Sequence, residues 1–109
     1  MSLPYQRVEE FIQDFDLQYR WYFEHADEKV AERFLAAVEK SLSLLAAQPE
    51  MGKCRKFRHP KLAGVRSFRV QPPFDRILIF YRFAQGEIQA WRLMDGSRDL
   101  PRRLAEPPE

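Results

Sequence analysis

The sequence predicts an α+β fold in which an N-terminal helical hairpin packs on a small sheet. Two early stretches have apolar residues at steps of three and four, which is typical of amphipathic helices. Two later stretches are rich in β-branched and aromatic residues and flank a short turn with a glycine, which is typical of a β-hairpin. With 109 residues, the chain is expected to form a single domain, 1–109, in which the tail 105–109 frays.

The predicted β-hairpin comprises residues 77–83 and 88–94, with the turn at 84–87. Because both arms are apolar on both faces, we expect them in the middle of the sheet, where neighbours cover both sides. Pairing Phe83 with Ile88 places Ile79 opposite Arg92. In this register one face is uniformly apolar, and we expect the helices to cover it: Leu78, Phe80, Trp91 and Leu93.

Arg92 then lies in the middle of a strand on the other face. A guanidinium buried there without a partner would cost several kcal/mol. Two interpretations stay open. Either an acid or solvent neutralises the side chain, or it faces an open, positively charged cleft.

Helix signals define the N-terminal half. The first apolar stripe begins at Val8, and its helix ends near His25. Asp27 is a suitable N-cap for the second helix, which should end near Ala47 because Pro49 disfavours a helical residue before it. Both apolar stripes need a flat partner, which the hairpin supplies.

The remaining segments are shorter. Residues 5–8 are a candidate edge strand, and residues 65–70 alternate in polarity as a strand does. Residues 53–63 are basic, contain Pro60 and show little apolar periodicity, so we predict a loop. The element order is therefore β-α-α-β-β-β.

Charge is unevenly distributed along the chain. Residues 1–50 hold 10 acids and 5 bases, whereas residues 51–109 hold 6 acids and 13 bases. Between Met51 and Phe74 there are seven lysines or arginines and no acid. Such asymmetry suggests either a surface for a polyanion or an acidic partner, or a solvated loop that binds nothing.

Cys54 is the single cysteine, so the sequence contains neither a disulfide framework nor zinc-ligand spacing. The N-terminus is polar, and no apolar run approaches the ~20 residues that span a membrane. We therefore expect a cytoplasmic protein without a metal or another cofactor.

Four stretches carry a resemblance to a known family: 48–52 (QPEMG), 62–68 (LAGVRSF), 79–82 (IFYR) and 91–100 (WRLMDGSRDL). In this order and spacing, the chain resembles the RelE/ParE superfamily of toxins from bacterial type II toxin–antitoxin modules. It is most similar to the ParE branch, often labelled plasmid stabilisation proteins. The resemblance extends from about Tyr5 to Leu104.

This resemblance implies a small antiparallel sheet with a helical hairpin on one face. It also implies a cognate, ParD-like antitoxin whose C-terminal segment wraps the toxin and whose N-terminal part binds operator DNA. Contact with DNA would then come only through the antitoxin. ParE toxins are implicated in poisoning DNA gyrase, and RelE toxins cleave mRNA on the ribosome.

The ParE-like interpretation motivates a contact surface and no catalytic residue. Arg66 and Arg92 match arginines that recur in the superfamily, and basic residues of the predicted loop lie near them in sequence: Lys53, Arg55, Lys56 and Arg58. Arg98 and Asp99 match a C-terminal Arg-Asp pair of the family. This pair either contacts the target or forms an ion pair that fixes the tail.

Two alternatives remain. A RelE-like nuclease needs proton transfer and cations, for which His59 or Tyr81 and Arg66 with Arg92 are the candidates. Asp95 stands where the family often has a histidine before a glycine, which removes a candidate acid/base imidazole. The other alternative is a non-toxic co-repressor that only assists its antitoxin.

Overall fold

The computed structural model describes residues 3–55 and 60–96, with the side chain of residue 61 excepted. Predictions on other residues lie outside this part of the chain: Lys56, Arg58, His59, Arg98, Asp99 and the tail 105–109. The elements in order are β1 (Tyr5–Arg7), α1 (Glu9–His25), α2 (Glu28–Ala47), β2 (Lys53–Cys54), a 3-10 turn (Pro60–Leu62), β3 (Arg66–Arg69), β4 (Ile77–Ala84) and β5 (Glu87–Asp95).

Both helices end where the sequence predicts. Asp27 caps α2, since its Oδ1 accepts a hydrogen bond of 2.8 Å from the backbone N–H of Val30. At the other end, the N–H of Gln48 donates to the carbonyl of Leu44 before Pro49 stops the helix. The predicted N-terminal helical hairpin is confirmed.

The five strands form one sheet in the order β1-β5-β4-β3-β2. The predicted hairpin, β4 and β5, lies inside it, as expected. Strands β2 to β5 pair antiparallel, but β1 pairs parallel with β5, so the sheet is mixed. The α+β class is confirmed, and the antiparallel description is wrong for β1. The predicted loop at 53–63 also contains the two-residue strand β2 and the 3-10 turn.

The hairpin closes with a two-residue turn of Gln85 and Gly86, whose φ angles are 55° and 75°. A type I′ turn requires positive φ at both positions, and the backbone twist of this turn matches the twist of the flanking strands. The turn sets the register of Phe83 with Ile88 and of Tyr81 with Ala90, as predicted.

The register changes at a β-bulge between Phe80 and Tyr81, where Trp91 is the extra residue of β5. Beyond it, Ile79 pairs with Leu93 rather than with Arg92. The prediction of the helix-covered face is therefore wrong except for Leu93. The helices pack against the face formed by Ile77, Ile79, Tyr81, Ile88, Ala90 and Leu93. Residues of the other face form a smaller cluster: Leu62, Val65, Leu78, Phe80, Met94 and the half-buried Trp91.

An aromatic cluster joins the two helices to the sheet. Phe34 of α2 is fully buried and lies 5.1–5.4 Å, between ring centroids, from Phe15, Tyr22 and Phe74. The three ring pairs are stacked, tilted and edge-on, respectively, and such offset or edge-on arrangements are favourable for aromatic rings. The aromatic stripe of the first helix is thus part of the core.

Candidate functional site

Arg92 forms a buried ion pair with Asp14 of α1. Its Nε donates to Asp14 Oδ2 at 2.7 Å, and its Nη2 donates to Oδ1 at 3.1 Å. The backbone N–H of Leu93 donates to the same carboxylate at 3.0 Å. Both side chains are almost fully buried. Of the two interpretations of Arg92, the acid partner is the one observed, so this residue joins α1 to β5 and does not face an open cleft.

Tyr81 is fully buried, and its hydroxyl is bonded on both sides by backbone. It donates to the carbonyl of Pro49 at 2.7 Å and accepts from the N–H of Gly52 at 2.9 Å. Burial raises the pKa of Tyr81, against the opposing effects of the Gly52 hydrogen bond and the Arg66 charge. The phenol therefore stays protonated at neutral pH and holds the turn after α2 on the sheet.

Arg66 contributes to the same attachment. Its Nη1 donates to the carbonyl of Gly52 at 3.1 Å and to that of Glu50 at 3.4 Å. Because Arg66 pairs with Tyr81 across β3 and β4, its side chain lies on the helix-covered side of the sheet. The structure thus separates Arg66 from Arg55, which bonds to Ser67 on the other side.

Gly52 is required where Tyr81 approaches the turn. A Cβ at this position would lie 2.6 Å from Cε1 and 2.8 Å from Cζ of the Tyr81 ring. We expect Gly52→Ala to lower the free energy of unfolding by about 1–3 kcal/mol, since a buried ring must move. Gly96→Ala is the control, because its added Cβ meets nothing closer than 3.5 Å. Urea unfolding measures both; equal midpoints for the two variants would contradict the prediction.

The candidate contact surface lies on the face of the sheet that neither α1 nor α2 covers, which we call the helix-free face. Here the Arg82 guanidinium lies 5.0 Å from the centroid of the Trp91 ring, within cation–π range. Together with Pro60 and Ala63, these residues line a shallow cleft of about 560 Å³. The cleft is therefore amphipathic, with an aromatic wall and a cation.

Two of the predicted basic residues adjoin this helix-free face. Arg55 donates through Nε to Ser67 Oγ at 2.8 Å, and Lys53 is exposed on β2 opposite Ser67. Arg82 and Trp91 were not among the predicted site residues. The predicted register could have found them, because both fall on one face when Tyr81 pairs with Ala90.

A second cleft lies at the end of the sheet where α2 terminates. Phe83 and the segment 48–51 line a volume of about 460 Å³. Met51 and Phe83 are 39% and 46% exposed, which is high for large apolar side chains. We call this the end cleft; its apolar lining suits an apolar segment of a partner.

The described ranges, 3–55 and 60–96, show neither a membrane-spanning helix nor a cluster of metal ligands. None of the helices in them has the length and apolar character to cross a membrane. In the same ranges, no three His, Cys, Asp or Glu side chains are grouped as metal ligands would be.

The arrangement of two helices on a five-stranded sheet is shared with solved toxin–antitoxin proteins. A chain of the chromosomal ParDE system from P. aeruginosa matches with a TM-score of 0.70 and 18% identity, over 88% of this chain and 98% of that one. A chain of the toxin–antitoxin complex RelBE2 from Mycobacterium tuberculosis matches with a TM-score of 0.58 and 16% identity, over 87% and 99%. The comparison with curated proteins gives no match.

The chain therefore has the α+β fold of these two solved chains. The family model described as "ParE toxin of type II toxin-antitoxin system, parDE" matches residues 6–100. The chain belongs to this family of type II toxins.

Proposed function

We propose that this toxin acts by binding, with DNA gyrase as its target and a ParD-like antitoxin as its neutralising partner in the cytoplasm. The observation that carries the proposal is that Tyr81 and Arg92 stabilise the fold through contacts inside the chain. Tyr81 is bonded to Pro49 and Gly52, and Arg92 is paired with Asp14. Arg66 binds the carbonyls of Gly52 and Glu50, so three of the four residues that a nuclease would use are engaged in holding the structure together.

The helix-free face supports target binding. Its cleft combines the Arg82 cation with the Trp91 ring, and Arg55 and Lys53 adjoin it. Aromatic residues and arginines are the side chains that dominate protein interfaces. A partner with acidic groups would be attracted to this face.

The end cleft supports antitoxin binding. An amphipathic segment could insert apolar side chains between Met51 and Phe83, as helices do in hydrophobic grooves. Its acidic residues would favour the basic side of the sheet. We expect the antitoxin to contact operator DNA and the toxin to contact DNA only through it.

Pulse labelling after induction of the chain alone tests the target. Early loss of thymidine incorporation, with filamenting cells, supports replication poisoning. Early loss of methionine incorporation would replace gyrase by ribosome-dependent mRNA cleavage. If neither changes while the protein is soluble and folded, the co-repressor alternative takes its place. Supercoiling by purified gyrase, with and without the toxin, then gives a direct readout.

Charge reversal on the helix-free face should reduce toxicity. We expect Lys53→Glu combined with Arg82→Glu to weaken target binding at least about tenfold, because two attractive contacts become repulsive. Lys40→Glu and Lys29→Glu together are the matched control, since both lysines are exposed on α2. Viable counts after induction measure the effect. Full toxicity of the folded double variant would exclude this face.

A further inference from the structure

The outer face of α1 carries apolar side chains that no described element covers. Leu17 and Trp21 are 43% and 52% exposed and lie one turn apart. A different side of the helix faces the core through Phe11, Phe15 and Tyr22. A second apolar surface on one amphipathic helix indicates an interaction site.

Trp21 is held in a fixed orientation on this face. The His25 ring stacks on it at 4.7 Å between centroids and 15° between planes. Nδ1 of His25 lies 3.0 Å from the carbonyl oxygen of Trp21, and the ring of Tyr22 meets the indole edge-on at 5.5 Å. A large aromatic side chain that is already ordered loses little entropy on binding, which is typical of an interface anchor.

Opposite charges flank the anchor on the same rim of α1. Arg20 and Glu24 are both exposed, and neither forms an ion pair with another described residue. Arginine four residues before glutamate is also the less favourable order for a pair within one helix. Consider two copies of α1 that pack antiparallel, with the two-fold axis passing about one residue after Trp21. Arg20 of each copy then lies beside Glu24 of the other, because the two-fold axis brings the same rim of both helices to the same side of the interface.

From this self-complementary pattern we propose that the outer face of α1 binds a second copy of the chain, as a two-fold antiparallel helix pair. The two indoles meet near the axis, and the two Arg20–Glu24 pairs flank them. An interface of about three helical turns falls below the ~1,200 Å² of most stable complexes. We therefore expect a weak dimer with a Kd of about 0.1–1 mM. This proposal is independent of the toxin's target.

Sedimentation equilibrium of the full chain, from about 10 µM to about 1 mM, tests the dimer. We expect the average mass to rise with concentration and Trp21→Glu to raise the Kd at least about tenfold. Phe23→Glu is the matched control, since Phe23 is 50% exposed on a different side of α1. Circular dichroism verifies that both variants keep their helices.

Charge exchange tests the antiparallel register. Arg20→Glu and Glu24→Arg should each weaken the dimer, and the double variant should restore it, because each ion pair is only reversed. A wild-type chain that stays monomeric at about 1 mM would overturn the proposal, as would a double variant that fails to recover. Equal effects of Trp21→Glu and Phe23→Glu would also overturn it. If Trp21→Glu weakens only binding of a co-expressed antitoxin, the face belongs to that partner instead.

Discussion

Replacing Asp14 by alanine is expected to lower the free energy of unfolding by about 3–5 kcal/mol, because the Arg92 guanidinium stays buried without its carboxylate. The N–H of Leu93 loses its acceptor at the same time. Since small domains are stable by only about 5–15 kcal/mol, much of the variant should unfold at moderate urea concentration.

Two further variants make this prediction specific to the ion pair. Asp16→Ala removes an exposed carboxylate from the same helix and should change stability by less than about 0.5 kcal/mol. Asp14→Leu combined with Arg92→Met replaces both charges by apolar groups and should recover part of the loss. If Asp14→Ala unfolds at the same urea concentration as Asp16→Ala, the pair does not stabilise the fold.

Phe34→Ala should have an effect of similar size, about 3–5 kcal/mol, because it leaves a cavity between both helices and the sheet. Phe15, Tyr22 and Phe74 each lose a ring contact. Phe23→Ala, at an exposed position of α1, is the control and should stay within about 0.5 kcal/mol. Urea unfolding followed by tryptophan fluorescence measures both, and a loss below about 1 kcal/mol for Phe34→Ala would contradict the packing described above.

Local signals in the sequence were sufficient for most of the fold. Asp27 and Pro49 define the ends of α2, and the Gln85–Gly86 turn defines the hairpin and its first register. These are interactions between near neighbours, which sequence patterns record directly. The predicted order of elements therefore agrees with the structure, with β2 added as a short strand.

The choice of the helix-covered face failed for a physical reason. A bulge at Trp91 shifts the pairing by one residue, so that Leu93 instead of Arg92 lies opposite Ile79. The predicted register also assigned Arg92 to the face that the helices do cover, and an arginine there argued against burial of that face. Its carboxylate partner, Asp14, lies 78 residues earlier in the chain and could not be recognised from the sequence. Neither the bulge nor a contact over that distance leaves a periodic signal.

The candidate site was only partly predictable. Lys53 and Arg55 were found from charge, and the structure places them beside the helix-free face. Arg66 was chosen from the family resemblance and instead binds the carbonyls of Gly52 and Glu50. Arg66 and Tyr81 come to the same turn only in the folded chain. Such tertiary contacts decide whether an arginine lies on a binding surface or stabilises the fold, and the sequence does not show them.

The parallel pairing of β1 with β5 has a consequence for synthesis of the chain. Residues 5–7 pair with residues 88–90, and Asp14 cannot form its ion pair until Arg92 is present. Nearly the whole polypeptide must leave the ribosomal tunnel before its first strand has a neighbour and before Asp14 can pair with Arg92. Contacts between such distant segments form late because they close a long loop. The nascent chain should therefore become a folded toxin only after residue 95 has left the tunnel, so that its activity appears abruptly and not gradually during elongation.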